Sequence, residues 1–408
     1  MDHKNYSEII LLLGNGFDLS FYLPTDYLSF LQTIKFLKDN KEKNFSTIGE
    51  IFRNKSLQNG SKTIENSYIK HQTAYDKCQV DNNEMKKIIE LSDDNCWVNF
   101  FLHVLNKNVG WIDFEKEIKK VVYALSSFFK SGQIKCSIHD KTTLTDAVNY
   151  VYLSKFDKVF FKSENLNGMS VGLKSDYTEP IDKKVFQKSI NTEKIIDYFY
   201  NDLVKFSELL KSYFICFVER PAAIMVKNGN LKLKPYLYDA TKAITFNYTS
   251  IYEMLSPNTN IIHIHGDLKK SIILGINPGE EDKLEQIDTS FIKFKKYSQR
   301  AFYETESEYI DLVKTRTEEI KIYKREAEFK RQYYFDPTPT LLCVYGHSLD
   351  ITDKDIIENL FEIATDIEIY YHSDQAKVNY IKNVVQMFGR EKYDILRREK
   401  NLTFSPII

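Results

Sequence analysis

The sequence lacks the features that mark several specialised protein classes. Cysteine is sparse: Cys78, Cys96, Cys136, Cys216 and Cys343 are far apart, odd in number and without a C-x-x-C pair. Neither a disulfide framework nor a zinc site is indicated, and a reducing cytoplasm is the expected setting. Charge of one sign is missing too. Lys and Arg number 56 against 57 Asp and Glu, a net charge of −1, so nothing electrostatic points to a nucleic-acid or membrane-surface binder. Long apolar runs are absent. The first run holds about six apolar residues, too short for a signal peptide, and none nears the roughly 18 needed to span a membrane. The chain has 2 Trp and 14 Gly beside 27 Tyr and 28 Phe, a bias read with its abundant Asn and Lys as codon usage.

What is present is enough chain, 408 residues, for two or three units of about 150 residues each. Ile9-Ile10-Leu11-Leu12-Leu13 closes on Gly14-Asn15-Gly16, as a strand buried on both faces does. Helical spacing follows from about Thr25 to Leu37. Residues 38–95 are polar and read as an exposed, partly helical insertion. Helical patterns return at 96–130 and 193–218, around an irregular section at 131–192. After Asn228-Gly229-Asn230 short apolar runs end at small or polar residues: Ala243–Phe246, Ile261–Ile264, Ser271–Leu274, Leu341–Tyr345 and Asp366–Tyr371. Strand, loop and helix in alternation predict an α/β fold, a Rossmann-like, mostly parallel sheet with a large, mostly helical insertion. The division is residues 1–30 plus 235–380 for a nucleotide-binding α/β domain and 31–234 for the insertion. A charged helical segment at 280–335 lies within the α/β part, and 381–408 form a C-terminal helix and tail. Glu326 stands four residues before Lys330 in that charged segment, a stabilising order on a solvated helix.

Ligands of open parallel sheets bind beyond the carboxyl ends of the strands, and every chemical motif here falls at such an end. Gly14-Asn15-Gly16-Phe17-Asp18 allows a tight turn and close approach to a phosphate or ribose, or a plain strand-to-helix turn. It is not the dinucleotide fingerprint, because position 19 is Leu. Thr25 suits the N-cap of the next helix. Asn247, after Thr245-Phe246, can hold a water or sugar hydroxyl, or cap a helix. His263 and His265 alternate onto one strand face, so both could line one pocket. His263 reads as a structural histidine, and His265, before Gly266, as a proton acceptor. No third ligand is spaced to complete a metal site. Gly346-His347-Ser348 forms a second loop before a helix, and Leu349-Asp350 rules out a G-x-S-x-G nucleophile elbow. Phe291-Ile292-Lys293-Phe294-Lys295-Lys296 with Tyr297 and Arg300 is either an amphipathic helix face or a basic, aromatic surface.

Taken in order, five motifs resemble the bacterial abortive-infection family AbiH. They are Leu13–Leu19 with Leu23-Pro24-Thr25-x-Tyr27, Trp111-Ile112-Asp113-Phe114-Glu115, Phe246-Asn247-Tyr248-Thr249, His263-Ile264-His265-Gly266, and Gly346-His347-Ser348-Leu349. Tyr22 departs from the glycine often found there. More distantly, the chain resembles the sirtuin-like NAD-binding superfamily, whose functional positions would fall on Gly14, Gly16, Asn247, His265, Gly346 and Ser348. The acidic residue after the Asn is replaced by Tyr248-Thr249, and no four-cysteine ribbon exists, which disfavours a deacetylase. The resemblance implies an anti-phage protein with NAD as ligand or substrate and no metal. Asn247 and His265 would be catalytic, and Gly14, Asn15, Gly16, Phe17, Asp18, Thr25, Gly346 and Ser348 would hold the nucleotide. Asp18 would stabilise positive charge or cap the loop. A non-catalytic nucleotide sensor and a nuclease effector are the rival classes. The partners expected are a nucleotide, a phage-derived trigger and a homo-oligomer, with nucleic acid and membrane disfavoured.

Overall fold

The structure, a computed structural model, describes residues 6–105, 113–131, 134–137, 144–165, 168–182, 185–277, 289–330, 338–399 and 402–407. Eleven strands are described: β1 (Glu8–Leu13), β2 (Ile134–Ser137), β3 (Phe160–Asn165), β4 (Gly168–Leu173), β5 (Thr178–Asp182), β6 (Val185–Ile190), β7 (Lys242–Thr245), β8 (Asn260–His263), β9 (Thr340–Tyr345), β10 (Asp366–Tyr371) and β11 (Thr403–Pro406). Six build the main sheet in the order β11-β10-β9-β1-β7-β8, and every pairing is parallel. Counted within that sheet alone, the order is that of a doubly wound nucleotide fold, 3-2-1-4-5-6.

The central strand has no polar face, because both sides are covered. Ile9, Leu11 and Leu13 point into the core shared with the insertion. Ile10 and Leu12 point into a second core with Ile356, Leu360 and Val384 from the helices Lys354–Ile363 and Asp374–Glu399. Alternation with period two explains the split, and covering of both faces explains the unbroken apolar run.

The chain between β1 and β7 is mainly helical, and it is less exposed than its polar composition suggests. Ile48, Ile51, Phe52, Leu57, Ile64, Tyr75 and Ile88 are buried in one continuous core with Leu11 and Leu13. Residues 38–95 therefore complete a common interior. Their apolar residues are few but fall on single helix faces. The 131–192 section holds the antiparallel sheets β2-β4-β3 and β5-β6. The helix Thr192–Tyr213 runs through a π-helical turn, Phe214–Glu219, into Arg220–Lys227. Phe114 is gripped between Tyr27 and Phe101, with centroids at 4.0 and 4.3 Å.

Two further expectations change. Ser271–Leu274 is not a strand: it lies outside the sheet order, held where the Ile273 N–H donates to the His265 carbonyl at 2.8 Å. Residues read as a C-terminal tail supply β11, which pairs with β10, so the sheet extends past residue 380. Within the charged segment the helix Ser307–Lys330 is described, and its Lys330 and Glu326 lie 3.6 Å apart. Residues 280–288 and 331–335 of the segment, and Trp111-Ile112 of the second motif, lie outside the described residues.

Candidate functional site

The chain leaves β1 toward β7 on one side and enters β9 on the other, so β1 and β9 border the switch point where doubly wound sheets open a crevice. Their loops touch. A Cβ on Gly14 would lie 2.6 Å from His347 Cα, one on Gly16 2.8 Å from Gly346 Cα, and one on Gly346 2.2 Å from the Phe17 nitrogen. Gly346 also has φ +69°, a conformation side chains oppose. The N–H groups of Gly14, Gly16 and Phe17 donate to the carbonyls of Tyr345, Gly346 and Gly14 at 3.3, 2.8 and 2.8 Å. The glycines thus serve the packing of loop on loop, and these three donors are already taken up. Asn247 Nδ2 adds a third tie, donating to the Gly14 carbonyl at 3.1 Å.

A cavity of about 630 Å³ opens over these strand ends. Gly14, Asn15, Gly16, Asp18, Thr25, Asn247, His265, Gly346 and Ser348 all line it. Phe17 does not: it is buried among the rings of Phe21, Tyr252 and Tyr345, because the short helix Gly16–Ser20 turns it inward. Thr25 is not the expected N-cap either. Asp26 caps the helix Tyr27–Asp39, accepting from the Ser29 N–H at 2.8 Å, which leaves the buried Thr25 hydroxyl at the cavity without a partner.

Asp18 is 1% exposed. Its Oδ2 accepts from the Thr249 hydroxyl at 2.6 Å, while Oδ1 makes no hydrogen bond. Burial pushes the carboxyl up to about 7, against the bond from Thr249. The turn that carries Asn247 and Thr249 is fixed from the insertion. Glu219, in the π-helical turn, accepts from the Ser250 N–H at 2.6 Å and from its hydroxyl.

The three strand-end histidines differ in their freedom. His263 Nδ1 meets the Asn247 carbonyl at 3.0 Å and Nε2 meets Glu253 at 2.8 Å. It does not line the cavity, so the expected pair on one pocket wall is not formed: β8 ends at His263, and His265 lies beyond the strand. Burial works against its charge, but Glu253 raises its pKa. His347 Nδ1 accepts from the Leu349 N–H at 3.0 Å. A neutral His347 must then carry its proton on Nε2, which faces Asp353 Oδ2 at 3.6 Å. His265 Nε2 is buried and makes no hydrogen bond, with Asp353 Oδ1 likewise at 3.6 Å, beyond bonding distance. Burial, then the cation of Lys296, holds its pKa well below the usual range. Phe246 stands between the two rings, 4.9 Å from His265 and 4.3 Å from His347.

Behind the histidines lies a buried ion cluster. Lys296 Nζ is 3.0 Å from Asp353 and 2.7 Å from Glu115. Burial opposes the ammonium, but the two carboxylates raise its pKa. Burial would likewise raise Asp353, yet Lys296 and both histidines hold it well below the carboxylate range. Glu115 is raised, with burial outweighing Lys296.

The chain matches the sequence model of the family described as bacteriophage abortive infection AbiH over residues 10–372. It belongs to the AbiH family. No curated protein and no solved structure matches it. This AbiH chain is thus an anti-phage abortive-infection family member with an α/β, Rossmann-like core. Among its described residues no helix is long and apolar enough to cross a membrane, and no group of three or more His, Cys, Asp or Glu could hold a metal ion.

Several residues of the AbiH cavity were not chosen from the sequence as site residues. Glu115 was visible only within the second motif, and Asp353 stands just beyond the Gly346-His347-Ser348 loop. Lys296 was hidden in the basic, aromatic stretch, whose cations other than the exposed Lys293 prove to be internal. Lys296 is 1% exposed, and Arg300 is buried against Glu306 at 2.8 Å and against Asp355. Lys293 pairs with Asp197 at 2.6 Å. The stretch is therefore not a basic surface. Its clue was the three-residue spacing of Phe291 and Phe294, both buried, which marks the segment as packed on the core.

Proposed function

We propose that the cavity binds NAD and hydrolyses its nicotinamide–ribose bond, releasing nicotinamide and ADP-ribose. The observation that carries this reading is that Asp18, Thr25 and His265, each with a buried polar atom that makes no hydrogen bond (Oδ1, Oγ1 and Nε2), line one cavity at the switch point of a doubly wound sheet. Buried polar groups are nearly always satisfied, and each orphan costs about 1–3 kcal/mol. A ligand rich in hydroxyl groups accounts for all three.

In the proposed step a water oxygen bonds to ribose C1′ as the C1′–N bond breaks, and its electron pair returns to the nicotinamide ring nitrogen. Positive charge develops on the sugar, as in glycoside hydrolysis. His265 takes the water's proton: it is held neutral by burial, and its Nε2 makes no hydrogen bond, whereas both nitrogens of His263 and Nδ1 of His347 are engaged. Asp353, fixed by Lys296, faces the imidazole and favours the proton's arrival. Asn247 holds the Gly14 loop and lines the pocket for water or ribose. The carboxyl of Asp18, at the same wall, stabilises the developing charge when ionised. The Gly14 and Gly16 backbone is closed toward the β9 loop, so the phosphates are assigned to the mouth, where Lys62, Lys116 and Ser348 line the cavity.

The test is incubation of the purified chain with NAD, alone and with phage-infected lysate, followed by chromatography of nicotinamide and ADP-ribose. Nicotinamide release that disappears in His265→Ala supports the reading; an intact NAD pool in every condition overturns hydrolysis. Glu115, which ties the insertion to the cavity floor, favours a second reading, a sensor. Heat stabilisation by NAD without turnover would select it.

A further inference from the structure

Thr25 and Asp18 stand on the segment that follows β1, Asp18 in the short helix Gly16–Ser20, and that segment is folded back on itself. Asn15 Nδ2 donates to the Thr25 carbonyl at 3.3 Å, and the Leu23 N–H donates to the Asp18 carbonyl at 3.3 Å. Both side chains are more than nine-tenths buried, at 1% and 3% exposure, both residues line the cavity, and each carries a buried oxygen that makes no hydrogen bond. Asp18 cannot turn Oδ2 to the task, because Thr249 holds it.

We propose that Asp18 Oδ1 and Thr25 Oγ1 form a sugar-hydroxyl subsite that makes the cavity selective for ribonucleotides over their deoxy counterparts. The inference rests on the nucleotide reading above and assigns the part of the ligand that this wall receives. The two atoms define its chemistry. A carboxylate oxygen needs a donor, and a threonine hydroxyl can both give and take a proton. One sugar hydroxyl, or the pair of a vicinal diol, satisfies both. A fully ionised phosphate has no proton to give, and an ionised Asp18 repels it. An apolar group would leave both oxygens bare. Sites built to bond a hydroxyl reject analogues that lack it far more strongly than apolar pockets reject extra bulk, because the buried polar atoms are then left unpaired.

The experiment is calorimetric titration of the full chain with ADP-ribose, which no hydrolysis of a nicotinamide bond can consume, and with analogues lacking the 2′- or 3′-hydroxyl of the terminal ribose. Wild type is expected to bind ADP-ribose, and to bind at least one analogue ten-fold or more weakly. Thr25→Val removes an unsatisfied hydroxyl at nearly constant volume. That variant is expected to keep or raise the melting temperature of the empty protein while narrowing the difference between ribo and deoxy ligands. A merely structural threonine would do the reverse, lowering stability and leaving the ratio intact. Equal affinity for ADP-ribose and both analogues overturns the subsite alone. Absence of binding by both ADP-ribose and NAD to wild type overturns the nucleotide reading and the subsite with it.

Discussion

Glu115 on the inserted helix Phe114–Ser131 reaches Lys296 Nζ at 2.7 Å, so an acid from the insertion and Asp353 from the turn after β9 share one buried ammonium. Removing a partner from such a cluster leaves charge without compensation. Lys296→Met is expected to destabilise the fold by ~3–5 kcal/mol, read from urea unfolding. Glu115→Gln, which leaves Lys296 paired with Asp353, is expected to cost less than half as much. Equal losses in the two variants would contradict the shared-cation description.

Asp18 makes stability depend on pH in a direction opposite to most acids. Its carboxyl is raised from 3.8 to about 7 by burial, so between those values the folded chain binds more protons than the unfolded chain. Its contribution therefore favours folding at low pH and is lost as pH rises through about 7, with a slope of at most ~1.4 kcal/mol per pH unit. Asp18→Asn is expected to flatten this part of the profile. The measurement is the midpoint of urea unfolding from pH 4 to pH 8 for both proteins, and identical slopes would rule out the assignment.

Tyr22 has φ +59°, the left-handed conformation in which glycine is unstrained. A glycine would make this turn without strain, and Lys70 stands 5.7 Å from the exposed tyrosine ring. Tyr22→Gly is expected to be neutral or stabilising by up to ~1 kcal/mol. Tyr22→Val, β-branched at the same angle, is expected to destabilise by ~1 kcal/mol or more. Calorimetric melting of the three proteins checks the order.

His263 and His265 are two residues apart but have separate expected roles. His265→Ala is expected to lower NAD turnover by at least ~10²-fold, the usual contribution of a positioned base, with little change in melting temperature. His263→Ala leaves Glu253 and the Asn247 carbonyl without their partner. It is expected to lower the melting temperature first. Turnover retained in His265→Ala would remove it as the base.

The sheet was legible because its strands are covered on both faces, and Ile9 to Leu13 needed no alternation to declare themselves. The site was legible where chain punctuation marked strand ends, at Gly14, Asn247, His265 and Gly346. Lys296, Glu115 and Asp353 were not, because a cluster of opposite charges assembled from three distant segments leaves no local pattern. Ser271–Leu274 misled for a related reason: an apolar run of four says that a segment is buried, not that it pairs. The polar stretch 38–95 concealed its role because a few well-placed residues, such as Phe52 and Tyr75, are enough to seat short helices on a core others supply.

The central strand of the sheet is the first to be synthesised, and its neighbours are separated from it by most of the chain. Leu13 pairs with Thr245 on one side and Tyr345 on the other, and the cavity wall is closed by Asp353. While the chain emerges from the ribosome, β1 has no sheet partner until β7 appears, and no pocket exists until the loop after β9 is made. Pairings of such long range form slowly. A chain that ends before β9 therefore has the glycine loop but lacks the Gly346, His347 and Asp353 wall that faces it across the cavity.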